Sequence, residues 1–224
     1  MSILPGGVPF PNADRPKSLQ QSIATLNWIH SKLHGQKIPK MPTSKRMQLA
    51  GGCWHVTIEH SMAIVVLVDQ SLHGSALALV RPLFESYIRG MWLMHAATDA
   101  EVDAAGRDEF PRDINKLTRA LRAAGASHFT ALKEQWWKRL CSLTHTGYQQ
   151  IGARLTPEGL GYAYDNDEIA QALGWADGIG LLAVVAFAGM AEDHALAQEA
   201  LNYMRAASGE VAPAADGSPK EQEP

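Results

Sequence analysis

The sequence predicts an all-α fold, an antiparallel bundle of roughly four to five main helices, and three observations predict it. Apolar residues recur at three-or-four spacing through most of the chain, and no segment alternates with the period of two that a half-buried strand needs. Helix start and stop signals then cut the 224 residues into lengths that suit helices.

Taken in order, Ser18-Leu-Gln-Gln21 has the form of a capping box and opens a helix to Leu33. A Pro- and Lys-bearing loop, Gly35 to Pro42, leads into a long helix from Thr43 to Gln70. Gly74 precedes a third helix to Ala97, with Pro82 inside it, where a lost hydrogen bond should kink the axis. Asp99 caps a short helix to Arg107, and Pro111 suits the first position of another that ends near Gly125. Ser127 caps a helix through Thr146 whose apolar stripe is Phe129, Leu132, Trp136, Leu140 and Leu143, with Gly147 as its stop. Gly152 to Tyr164 reads as a loop. Asp165 and Glu168 then open an apolar helix that runs to Ala207, weakened locally by Gly174, Gly178, Gly180 and Gly189, which let neighbouring helices approach. The domain division is a flexible N-terminal segment 1–16, a helical bundle 17–207 and a disordered tail 208–224, whose Pro, Glu, Gly and Ala composition cannot bury enough apolar surface to order itself.

Composition bounds the function. A formal net charge of −3 gives no global pull toward nucleic acid or anionic membrane, so any polyanion site must be a local patch. Cys53 and Cys141 match no metal or redox spacing and read as buried free thiols, which points to a reducing, cytoplasmic compartment. The longest apolar run, Gly178 to Ala191, has about 14 residues against the roughly 20 that a membrane span needs, so no membrane association is expected.

Three stripes carry chemistry. Arg139-Leu-Cys-Ser-Leu-Thr-His145 sets a permanent cation and a group that titrates near neutrality on one helix. Six residues turn a helix by about 600°, leaving the two side chains about 120° apart, so they converge only if the helix ends between them or if a two-fold dimer brings them together. The bland alternative is a surface ion pair for Arg139 and a helix C-terminal cap for His145. On the Pro82 helix, Arg81, Glu85, Arg89, Trp92 and His95 fall within about a 120° sector. They form either an intrahelical salt-bridge ladder or, through Arg81 and Glu85, a support for His145. On the second helix His55, Glu59, Asp69 and His73 lie within about 80°, but their two ends are about 15–21 Å apart, so one metal ion cannot use both. Trp136 belongs to the apolar stripe, while Trp137 beside Lys133 and Lys138 is the candidate surface aromatic for base stacking.

The Arg139 to His145 segment resembles the Arg-x(4–6)-His signature of the HEPN superfamily of helical bundles. Trp136-Trp137-Lys138-Arg139 through Tyr148, together with Arg81-Pro-Leu-Phe-Glu85-Ser-Tyr-Ile-Arg89, also resembles an uncharacterised bacterial helical family over most of residues 45 to 195. The HEPN resemblance implies metal-independent RNA cleavage by Arg139 and His145 with no cofactor, and Arg81, Glu85, Lys138 and Trp137 read from their positions as supporting residues. It further implies a homodimer with a composite site, RNA and an antitoxin or other partner protein as partners, and a toxin–antitoxin or phage-defence setting. Active HEPN enzymes usually place a polar residue after the arginine, whereas here Leu140 follows it on the apolar stripe. The alternatives are a non-catalytic HEPN-like interaction module and a metal-dependent bundle enzyme using His55, Glu59 or His145.

Overall fold

The computed structural model describes residues 15–34, 44–111, 113–126 and 128–208, with side chains throughout except at 128–132. Segment 1–14, the Gly35 to Pro42 loop, Ser127, the stripe residues Phe129 and Leu132, and the tail from 209 lie outside this description.

The fold is all-α. Its long helices are α1 (Lys17–Leu33), α2 (Lys45–Asp69), α3 (His73–His95), α6 (His128–Thr144) and α8 (Asn166–Met190). Shorter ones are α4 (Asp99–Ala105), α5 (Ile114–Ala123), α7 (Tyr148–Gly152) and α9 (His194–Ala207). The stretch expected to be a plain loop holds α7 and a two-stranded antiparallel pair, β1 (Leu155–Thr156) with β2 (Gly159–Leu160).

The central layer is α2, α3 and α8. The short α2–α3 connection folds them into an antiparallel hairpin, and α8 packs on both. Small residues bring the axes together: a Cβ on Gly90 would lie 2.7 Å from Trp54 Cδ1, and one on Gly180 2.7 Å from Ser61 Oγ. Buried hydroxyls cross the same seams, with Thr57 Oγ1 and Ser86 Oγ 2.9 Å apart and Ser61 donating to the Ala176 carbonyl at 2.8 Å. The expected close approach holds at Gly180 but not at Gly174, Gly178 or Gly189, which have open space beside them. By length and composition α2 and α8 could each cross a membrane. The run Gly178 to Ala191 therefore belongs to a helix longer than the run alone suggests. Here both helices serve as the middle of the bundle.

Several helix ends differ from expectation. Ser18 does not cap α1, which starts one residue earlier after Pro16. Thr98, not Asp99, caps α4, in a reciprocal capping box with Glu101. Asp113, rather than Pro111, opens α5 by accepting from the Asn115 N–H. Asp165 caps α8 through the Asp167 N–H, so the expected box with Glu168 does not form. The single helix expected to reach Ala207 breaks after Met190. Glu192 takes a left-handed φ of 58°, the Asp193 N–H reaches back to the Ala188 carbonyl, and the Asp193 side chain caps α9. Pro82 lies inside α3, which continues through it.

Candidate functional site

The site forms where the C-terminal end of α6 meets α3 and the start of α8. Leu140 and Leu143 are buried and hold α6 on the bundle. The helix ends in a Schellman-type closure: Thr146 adopts φ 54° and the Gly147 N–H bonds to the Ser142 carbonyl at 2.7 Å. Gly147, expected as the stop of this helix, is required because a Cβ there would lie 2.9 Å from the Ser142 carbonyl oxygen. This closure leaves His145, one residue beyond α6, exposed at the surface.

His145 Nε2 is hydrogen-bonded to Arg81 Nη1. Arginine only donates, so Nε2 is the acceptor in this contact. Arg81 is fixed from two further sides. Its Nε donates to Glu85 Oε1 at 2.8 Å, and its guanidinium lies over the Trp137 ring at 4.9 Å. Glu85 also faces Arg89 at 3.8 Å, completing the ladder expected on this helix. Arg81 Nη2 makes no hydrogen bond within the described residues.

Arg139 does not join this group. Its Nη2 pairs with Glu168 Oε1 on α8 at 2.7 Å, the arginine side chain 42% exposed and the carboxylate only 16%. The about 120° separation on α6 sends the two side chains to different neighbours, and within one chain the expected Arg139/His145 convergence is replaced by Arg81/His145. Trp137 is likewise not a free stacking surface. It packs 6.2 Å from Phe84, and Arg81 covers one face. Trp136 meets Trp175 edge-on at 5.1 Å, as a core residue would, and Lys138 is exposed.

The stripe on α2 does not assemble. Asp69 forms an ion pair with Arg15 at 2.7 Å, His73 meets the Tyr164 ring edge-on at 5.8 Å, and His55 lines a separate groove beside Met62 and Phe187. Among the described residues no three His, Cys, Asp or Glu side chains converge as metal ligands. Both cysteines are free, and burial pushes the Cys53 thiol up to about 11, so it is no nucleophile at neutral pH.

Four residues, Glu168, Arg154, Tyr162 and Tyr164, do not follow from the spacing within the Arg139 to His145 motif. Glu168 was readable only as a capping residue, and it reaches Arg139 across 29 positions. Arg154, Tyr162 and Tyr164 lie in the stretch read as a loop. The alternation Tyr-x-Tyr at 162 and 164 was the one signal there.

The model of the family described as "Family of unknown function (DUF6988)" matches residues 54–211, and the chain belongs to that family. No curated protein and no solved structure matches the chain.

Proposed function

We propose that this protein is a HEPN-like, metal-independent endoribonuclease that binds an RNA phosphodiester at the α3–α6 junction, with His145 as the proton-transfer group. The observation that supports the reading is the exposed Arg81–His145 contact, which pairs a permanent cation with a titratable imidazole at the surface. In the resting arrangement Arg81 occupies the Nε2 lone pair. An incoming phosphate, taken first by the free Nη2, competes for Nη1 through the planar fork that suits phosphate oxygens. Nε2 is then released to accept the proton of a ribose 2′-hydroxyl. The 2′-oxygen attacks phosphorus, the bond to the 5′-oxygen breaks, and that oxygen leaves protonated by solvent, giving a 2′,3′-cyclic phosphate and a 5′-hydroxyl. Glu85 and Trp137 position Arg81 for this exchange. Arg139 belongs to a composite site only in a two-fold dimer in which a second copy draws it from Glu168. The cytoplasmic toxin–antitoxin or phage-defence setting, with RNA and an antitoxin or partner protein, rests on the resemblance alone.

A second reading has an observation of its own. Arg139 is neutralised by Glu168, as expected of a non-catalytic HEPN-like interaction module.

RNA cleavage in excess EDTA separates the two. With His145→Ala the rate should fall by about 100-fold or more while the circular dichroism stays helical, and Arg81→Met should do the same. If the site is composite, mixing His145→Ala with Arg139→Ala restores part of the activity through heterodimers. Full activity in His145→Ala, or no cleavage of any RNA by wild type, refutes the nuclease.

A further inference from the structure

The α6–α7 connection lies along one face of α3. Gly74, Ala78 and Arg81 fall within about 60° of one another on that helix. Each is in contact with the connection. Gln150 Nε2 donates to the Gly74 carbonyl at 3.1 Å, Thr144 Oγ1 donates to the Ala78 carbonyl at 3.0 Å, and Arg81 holds His145. The face therefore has His145 at one end and the start of α3 at the other, about 10 Å away at 1.5 Å rise per residue.

A second cation occupies that far end. The hairpin ladder continues beyond β1 and β2, with the Gly161 N–H on the Arg154 carbonyl at 2.8 Å and the Ala163 N–H on the Ala153 carbonyl at 2.9 Å. This extension brings Tyr162 and Tyr164, two residues apart and so on the same side, against Arg154. The guanidinium lies 4.8 Å from the Tyr162 ring centre and 5.3 Å from that of Tyr164. It sits over Gly74, where a Cβ would come within 2.6 Å of Nη2. Arg81 and Arg139 each face a carboxylate, but Arg154 forms no ion pair among the described residues. Its neighbour His73 adds no charge, because burial and then the Arg154 charge hold that imidazole below its ordinary range.

Around Arg154 the surface is aromatic and open. Tyr148, which follows Gly147 directly, is 77% exposed and Tyr162 39%. A guanidinium set against two tyrosine rings, with no ion-pair partner among the described residues, suits an anion. Tyr148, on α7 six residues before Arg154, offers an exposed ring for stacking that tolerates any base. We propose that Arg154, set by Tyr162 and Tyr164, and the exposed Tyr148 form a docking track for single-stranded RNA, Arg154 holding a backbone phosphate about 10 Å from the one presented to Arg81 and His145. The inference rests on the RNA-directed reading and supplies its substrate class: a single strand rather than a duplex, whose bases are stacked inside and cannot reach the tyrosines.

The test uses the full chain and a fluorescently labelled single-stranded RNA of about 12 nucleotides, followed by anisotropy at about 50 and 200 mM salt. Arg154→Met should weaken binding at least tenfold and flatten the salt dependence by about one phosphate contact. Tyr148→Ala should weaken it about five- to thirtyfold. Cleavage at limiting RNA should fall in step with binding in both, and His145→Ala should still bind RNA without cleaving it. Duplex RNA of the same length should bind more weakly than the single strand. If wild type binds and cleaves RNA while both track variants bind as well as wild type, the track is refuted and the nuclease reading stands. If wild type neither binds nor cleaves, the nuclease reading falls and takes the track with it. Loss of self-association in the two variants on sedimentation, with RNA binding unchanged, would assign the surface, with its neighbours Ile151, Leu155 and Leu160, to a protein contact instead.

Discussion

Asp177 gives the bundle a pH dependence that can be worked from its surroundings. It lies on α8 facing α1, where Ser22 Oγ donates to Oδ2 at 2.7 Å while Oδ1 is buried with no partner among the described residues. Burial raises its carboxyl from the ordinary 3.8 to about 6, with the Ser22 hydrogen bond opposing the rise. The folded state therefore binds more protons than the unfolded state between those two values, and stability falls as pH rises through that window. About one unit above pH 6 the loss is complete, at roughly 3 kcal/mol from the size of the displacement. Asp177→Asn removes the titration. The amide brings its own cost, because one buried position still lacks a partner, but that cost does not change with pH. Urea unfolding at pH values near 4 and 7.5 should therefore show the Asn variant gaining about 2 kcal/mol on wild type between the two. A difference that stays constant with pH, or that favours wild type at the higher value, would refute the account of Asp177 as a buried charge held by one hydroxyl.

Two further outcomes follow from the backbone. Gly90→Ala would place a Cβ within 2.7 Å of Trp54 Cδ1 and 2.9 Å of its Cε2 in the closed core, and thermal or urea unfolding should show a loss of about 1–3 kcal/mol or more. Glu192→Gly should stabilise the fold by about 1 kcal/mol, since Glu192 holds a φ of 58° that glycine adopts without strain. An unchanged or lowered melting temperature would mean that the Glu192 side chain contributes more than the strain removes.

What the sequence made legible is what depends on neighbours three or four positions away. The α3 ladder of Arg81, Glu85 and Arg89 and the burial of Leu140 and Leu143 follow from helical rotation alone. Helix ends were less legible, and the reason is specific. Of the helix ends with a left-handed residue among the described residues, only the one after α5 uses glycine, at Gly125; Ser71, Asp108, Thr146 and Glu192 serve the others. Each non-glycine residue there accepts backbone strain and announces nothing in composition. The α8–α9 break was missed for this reason, since Glu192 reads as an ordinary helix former. The site was half legible. The contact between Arg81 and His145 could be anticipated, but Arg139 could not be sent to Glu168, because that pairing depends on how α6 and α8 cross.

The same packing explains why Arg81, rather than the arginine six residues upstream on the same helix, meets His145. A residue just past the end of α6 can reach only what the closing turn faces, and the turn at Thr146 and Gly147 faces α3. The positions α3 presents there are Gly74, Ala78 and Arg81, two small residues that admit the connection and one long one that extends past its edge to the surface. Enlarging Gly74 would strike Arg154, and a Cβ on Gly147 would crowd Ser142, so the two glycines fix the path of the chain between His145 and the hairpin. Arg81 then meets the imidazole with its Nε already held by Glu85 and its plane already set by Trp137. A cation oriented before any ligand arrives loses little freedom on meeting a phosphate, which is the condition under which electrostatic stabilisation of a developing charge is most effective. Arg139, 42% exposed on one ion pair, lacks that preparation within a single chain.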